Sequence, residues 1–239
     1  MVRQGSQEVH DQPSRVWDLP VRLFHWSLAL LVAFQFASGY TGGNVMRWHM
    51  IGGYTILSLV LFRLGWGFAG STTARFSSFL AGPRAALAFG RRLLSGEPAP
   101  YAGHNPLGGW MVVFLLAALA LQAGSGLFAN DDIATEGPLA VLVSKDTSDW
   151  LTGIHRSNQN LLLVLIGLHI AAVLFHWRVK KENLISAMFT GVKRLPADLA
   201  KETSSLRFAS PWRALGLLIA TALVVWLLVS QMLSTPELA

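Results

Sequence analysis

Five of the seven histidines lie within or at the ends of apolar stretches of the sequence, where an ionisable side chain is costly unless it binds something. Four of them, His25, His49, His155 and His169, form the pattern that suggests chemistry, and the fifth is His176. Neutral imidazole is a common ligand of transition metals. The chain has no cysteine, which excludes iron–sulfur clusters with cysteine ligands and the covalent attachment of c-type haem. These residues therefore favour a redox metal group that is bound non-covalently through imidazole.

The spacing of the four histidines predicts two pairs at different depths. His155 and His169 are 14 residues apart, which is close to four helical turns and places them on one helix face, about 21 Å apart. The order of the apolar stretches puts His49 at the depth of His155 and His25 at the depth of His169. Two sites with two imidazoles each suit two haems whose axial positions are both filled, and such iron transfers electrons without binding substrate. Zinc is the rival metal, although it usually takes three or four ligands in one cluster.

The remaining histidines receive different interpretations. His176 follows His169 by 7 residues on nearly the same helix face, so it could replace His169 as a ligand. We expect instead an interfacial role for His176, in contact with a haem propionate or a quinone. His10 and His104 lie in polar segments, and both are predicted to be solvated.

Three arginines lie near the paired histidines and could neutralise haem propionates. Arg47 and Arg156 flank His49 and His155, and Arg63 is placed near the other pair. Snorkelling of these side chains to the membrane surface is the alternative. Four glycines are expected to let a porphyrin approach the helix backbone, unless they serve helix packing alone: Gly52, Gly53, Gly124 and Gly126.

The composition is that of a membrane protein. Of the 239 residues, 52% are hydrophobic and 13% are charged, whereas soluble domains carry about 25% charged residues. Five apolar stretches approach the length of about 20 residues that a membrane-spanning helix needs: 23–40, 46–69, 107–129, 154–177 and 214–233. We expect an all-α membrane protein, with a four-helix transmembrane haem-binding bundle and a fifth C-terminal transmembrane helix. A cleaved signal peptide is the competing interpretation of the first stretch, and residues 83–95 are expected to form a short helix at the membrane interface.

Lysine and arginine are concentrated in three segments, 1–22, 70–106 and 178–213. The positive-inside tendency therefore predicts a cytoplasmic N-terminus and a periplasmic C-terminus in a bacterial inner membrane. The net charge of +6 comes mostly from these cytoplasmic segments. It therefore gives little support to nucleic-acid binding. No internal repeat is evident. The expected division is a cytoplasmic arm (1–20), a di-haem domain (21–190), a cytoplasmic linker (191–211) and the fifth helix with its tail (212–239).

Several stretches of the sequence resemble a known family. They are "VWDLPVRLFHWSLALLVAFQFASG", "RWHMIGGYTILSLVLFRLGWGFAGSTTARFSSF", "GHNPLGGWMVV" and "GIHRSNQNLLLVLIGLHIAAVLFHW". Together they are similar to the prokaryotic di-haem cytochromes b, which include bacterial cytochrome b-561 and the cytochrome subunits of nickel–iron hydrogenases and formate dehydrogenases. The resemblance covers about residues 15–190. It implies two haems b with His49/His155 and His25/His169 as axial pairs, and electron exchange with membrane quinone.

The function expected first is electron transfer between quinone and a periplasmic redox partner, either a c-type cytochrome or the subunits of an oxidoreductase complex. The short segment "TGGNV" after the first span favours the c-type cytochrome, and both homo- and hetero-oligomers remain open. A stand-alone quinone-linked oxidoreductase that acts on a small molecule such as superoxide is the alternative. A transporter with a histidine proton relay has little support, because the spans lack carboxylates. We expect the quinone near His25, His169 and His176.

Overall fold

Five long helices dominate the computed structural model, which describes residues 11–96, 101–133 and 135–233. In chain order the elements are β1 (Gln12–Arg15), α1 (Leu19–Thr41), α2 (Met46–Ala69), α3 (Phe76–Phe79), α4 (Pro83–Leu94), α5 (Pro106–Gly126), α6 (Lys145–Arg178), α7 (Leu184–Thr190), β2 (Val192–Leu195), α8 (Ala197–Thr203) and α9 (Pro211–Leu233). Helices α1, α2, α5, α6 and α9 are long and apolar enough to cross a membrane. The prediction of an all-α membrane protein with five spans is therefore confirmed.

Polar side chains set where the spanning helices begin. The Asp18 carboxylate accepts a hydrogen bond from the Val21 amide at 2.8 Å, and the Asn105 side chain accepts one from the Gly108 amide at 2.8 Å. Both residues satisfy amides that the first turn of a helix leaves without partners. Ser144 caps α6 in the same way, so this helix begins nine residues before the predicted apolar stretch and carries a polar first section.

Helix α2 lies at the centre of the bundle and is the most buried of the spans. It packs against α1, α5 and α9, whereas α6 packs mainly against α5. Ile56 and Val60 of α2 meet Leu119 of α5 and Leu162 of α6 in one apolar cluster. The histidines of α1 and α2 therefore approach α6 across the interior of the bundle.

The two ends of the bundle differ in charge. We call the end formed by residues 11–18, 70–96, 101–105 and 179–210 the basic end. The end formed by residues 42–45, 127–133 and 135–144 is called the acidic end. Strands β1 and β2 pair antiparallel at the basic end, and the Thr73 hydroxyl donates to the Val16 carbonyl at 2.6 Å. The predicted linker at 191–211 therefore contains regular structure, because β2 and α8 both lie within it.

Candidate haem site

The structure brings the four histidines together as two pairs. His49 of α2 faces His155 of α6 with a ring-centroid distance of 6.3 Å. His25 of α1 faces His169 of α6 at 6.2 Å. The first pair lies towards the acidic end and is called the acidic-end pair. The second is called the basic-end pair.

The ring separations fit a metal ion placed between the two imidazoles. A histidine nitrogen binds a first-row transition metal at about 2 Å, and the ring centroid lies roughly 1.1 Å behind that nitrogen, so two rings on opposite sides of one metal have centroids about 6.3 Å apart. The measured separations are 6.3 and 6.2 Å. Packed aromatic rings also reach this separation, as Phe24 and Phe62 do at 6.3 Å, so the distance indicates a metal only together with the chemistry of two facing imidazoles. Within the described ranges there is no cluster of three or more potential ligands.

Hydrogen bonds fix the orientation of the His155 ring. Its Nδ1 lies 2.8 Å from the Gln122 carbonyl oxygen, which can only accept, so Nδ1 carries the proton and donates. The unprotonated Nε2 is then left as the metal ligand. The Gln122 side-chain amide in turn donates to the His155 carbonyl at 3.0 Å. A hydrogen bond to the ring nitrogen that does not bind the metal sets the tautomer of a ligating histidine and raises its basicity.

The His49 ring is held in a similar way by α1. The Ser38 hydroxyl lies 3.2 Å from the Gln35 carbonyl and 3.0 Å from His49 Nδ1. Because the hydroxyl proton is directed to the carbonyl, its oxygen accepts the proton of Nδ1 and leaves Nε2 free. The Gln35 side chain donates to the His49 carbonyl at 2.9 Å.

These contacts come from a short motif that occurs twice. The sequence "QFASG" at 35–39 ends α1, and "QAGSG" at 122–126 ends α5. In each copy the glutamine binds the backbone of a paired histidine on the next spanning helix, and the serine lies at its Nδ1. Reasoning from the histidines alone misses this five-residue motif. The Q-x-x-S-G spacing was the signal in the sequence that could have found it.

Two glycines of this motif lie directly against the rings of the acidic-end pair. A Cβ atom at Gly126 would lie 2.9 Å from Cε1 of His155, and one at Gly39 would lie 3.2 Å from Cε1 of His49. The predicted glycines have other surroundings. Gly52 and Gly53 adjoin the Gln35 side chain, and Gly124 has open space beside it. Gly126 is thus the one glycine of the four whose missing side chain gives room to a paired histidine.

The basic-end pair has a different environment. His25 Nδ1 is buried and has no hydrogen-bond partner among the described residues. The neighbouring Trp26 ring stacks on Phe189 of α7, with centroids 4.2 Å apart. Helix α7 therefore packs beside this pair, whereas two hydrogen-bonded motifs hold the other.

His176 lies next to the basic-end pair without joining it, because the structure places His169 opposite His25. Its Nδ1 lies 2.8 Å from an oxygen of Glu182, which also contacts Lys193. Burial alone raises the pKa of Glu182, but the contacts with His176 and Lys193 outweigh it and lower this pKa to about 2. His176 is thus tied to a charged surface network.

The expectation that His104 is solvated is wrong. Its ring lies 4.7 Å from that of Trp17 and 4.6 Å from that of Phe79, and its Nδ1 is buried. The segment before α5 folds inward, which a polar sequence does not reveal. His10 lies outside the described residues. Of the three arginines, Arg63 is buried and Arg47 and Arg156 are exposed.

The fold and the paired histidines define a multi-pass membrane protein of the b-type cytochrome class, with haem b as its redox group. Comparison with known proteins agrees: residues 16–191 match the family described as Prokaryotic cytochrome b561. The chain belongs to this family, and electron transfer is its function.

Similar proteins carry one description, "Probable Ni/Fe-hydrogenase B-type cytochrome subunit". Those of Azotobacter chroococcum mcd 1 and Azotobacter vinelandii are 27% and 26% identical, and each match covers 81% of this chain and 94% of the relative. That of Rhodobacter capsulatus is 23% identical, with 77% and 82% covered. No solved structure matches the chain significantly.

Proposed function

We propose that this chain holds two haems b and passes electrons between membrane quinone and an oxidoreductase partner at the acidic end. The observation that carries the proposal is the presence of two imidazole pairs, at 6.3 and 6.2 Å, on one face of α6. Their ligands on α6 are about 21 Å apart along the helix. That is most of the thickness of a hydrocarbon core of about 30 Å.

The protein residues supply ligation, orientation and charge. His49 and His155 bind through Nε2, since their Nδ1 atoms are engaged with Ser38 and Gln122. Haem ligated on both faces supplies one-electron chemistry at an iron that has no open position for a substrate. Arg47 and Arg156 are exposed near the acidic-end pair, where we expect them to neutralise propionates.

The charge of the two ends supports an orientation in a bacterial inner membrane. The basic end is cytoplasmic by the positive-inside tendency, so the acidic end and the C-terminus are periplasmic. The relatives are described as subunits of hydrogenases, which supports an oxidoreductase complex as the partner. A c-type cytochrome at the same surface is the other partner that the short segment after α1 allows.

We expect quinone to bind at the basic end, near His25, His169 and His176. Polar and aromatic groups meet there, including the His176–Glu182 contact and the stacked rings of Trp26 and Phe189. An apolar quinone ring with two polar oxygens suits such a mixed surface.

The test is the anaerobic addition of a quinol to the purified chain in lipid nanodiscs, with haem reduction followed by absorbance. We expect the wild type to be reduced, and the His169→Ala variant to keep one haem that quinol reduces much more slowly. Arg84→Gln, at an exposed position of α4, serves as a control that leaves the four paired histidines in place. Failure of quinol to reduce a wild-type chain that dithionite reduces would contradict the role of quinone while leaving haem binding intact.

A further inference from the structure

Arg63 and His104 both lie beside the basic-end pair with a buried nitrogen that lacks a partner. Arg63 is 3% exposed, and its Nη1 has no hydrogen-bond partner among the described residues. The same holds for Nδ1 of His104. Both groups adjoin the Phe79 ring, with the guanidinium carbon 5.9 Å and the imidazole centroid 4.6 Å from its centre.

The carboxylate whose charge acts on Arg63 is that of Asp18, but it makes no hydrogen bond to the buried Nη1 of Arg63. Its Oδ1 accepts from the Val21 amide at 2.8 Å, and its Oδ2 accepts from the Trp66 indole at 3.0 Å. A buried guanidinium nitrogen that makes no hydrogen bond is strongly unfavourable. The chain therefore offers positive charge and donors here, and the described residues supply no acceptor for Arg63 Nη1.

The surroundings of His104 are positive on several sides. Burial, and then the positive charges of Arg63 and Lys193, lower the pKa of His104 to about 3. The ring is therefore neutral at pH 7 and has one N–H to donate. The charges of His169 and His25 also lower the pKa of His104, so His104 lies near the basic-end pair.

We infer that Arg63 and His104 form a carboxylate-binding site, and that its occupant is a propionate of the haem ligated by His25 and His169. Arg63 provides a charged donor and His104 a neutral one, while Lys193 adds positive charge from β2. This inference rests on the proposed haem ligation. It assigns a role to His104, and it makes the basic end part of the redox site.

The inference predicts a redox effect with a definite sign. A positive charge near haem disfavours the ferric state, which carries more positive charge than the ferrous state. Arg63→Gln should therefore lower the one-electron reduction equilibrium constant of the basic-end haem about tenfold, equivalent to 59 mV. His104→Phe keeps a ring between Trp17 and Phe79 and removes the donor, so the shift should have the same sign and be about threefold.

The experiment is a redox titration of the full chain, in which the basic-end haem is identified as the one lost in His169→Ala. Arg84→Gln removes a charge from an exposed position of α4 on the same side and should leave both potentials unchanged. Reconstitution with iron protoporphyrin dimethyl ester removes the charge of the propionates. With the ester, His104→Phe should change the equilibrium constant less than twofold, because a neutral donor acts on the haem only through the propionate, whereas the charge of Arg63 acts on the iron in either case.

The outcomes separate the possible errors. A His104→Phe shift that persists with the ester would mean that a free carboxylate or another anion occupies the site, which overturns the assignment to propionate. Unchanged potentials in both Arg63→Gln and His104→Phe would overturn the site itself. If Arg63→Gln fails to fold, the His104→Phe titration alone decides between these results. A wild type without a basic-end haem would contradict the proposed function instead.

Discussion

Replacement of Gly126 by alanine tests whether the motif at the end of α5 holds a metal ligand. The added Cβ would lie 2.9 Å from Cε1 of His155, whereas carbon atoms in contact are about 3.5–4.0 Å apart. The ring or the helix must then move by about 0.6–1.1 Å. Metal–ligand distances tolerate only about 0.2 Å, so Gly126→Ala should displace His155 from its iron.

The matched control is Gly124→Ala on the same helix, where an added Cβ meets nothing within 4 Å. Both substitutions raise helix propensity by about 1 kcal/mol, so a difference between them cannot come from helix formation. Quantification of haem as the pyridine complex should give about one haem per chain for Gly126→Ala and two for Gly124→Ala. Two haems with unchanged spectra and potentials in Gly126→Ala would refute the reasoning.

Three further predictions concern contacts around the pairs. Ser38→Ala removes the acceptor of the His49 Nδ1 proton, so the acidic-end haem should titrate at a higher potential. The shift should lie within the free energy of about 0.5–1.5 kcal/mol that such a hydrogen bond contributes. A lower potential in a redox titration would contradict this. Asn158 donates to the Ala118 carbonyl at 2.9 Å and to Gln122 Oε1 at 2.7 Å, so Asn158→Leu should lower stability by about 1–3 kcal/mol in thermal unfolding, and an unchanged melting temperature would count against it. The pKa of Glu182 is lowered to about 2, below its value of about 4.3 in an unfolded chain. Its contribution to stability is therefore present above the unfolded value and lost as pH falls towards 2. Glu182→Gln should show a flatter fall in melting temperature between about pH 4.5 and 2 than the wild type, and identical profiles would refute this.

The sequence predicts the presence of the spans well because their hydropathy identifies them, whereas polar caps such as Ser144 set where the helices begin. Helix α2 was predicted at 46–69 and occupies Met46–Ala69. The 14-residue spacing on α6 predicted the two depths, since helix geometry is regular enough to carry the argument across a membrane.

The sequence does not predict contacts between segments that are distant along the chain. His104 looked solvated because its loop is polar, yet the fold places Trp17 and Phe79 against its ring. Strands β1 and β2 lie at opposite ends of the main domain in sequence and are too short to show a periodic pattern. The Q-x-x-S-G motif was visible, but its meaning depends on which helix packs beside it.

The most direct test of the central claim combines haem quantification with near-infrared magnetic circular dichroism of the oxidised wild-type chain. Both irons should show two imidazole ligands, at two haems b per chain, with one haem lost in His49→Ala and the other in His169→Ala. One haem or none in the wild type, or an iron with a different ligand set, would contradict the account.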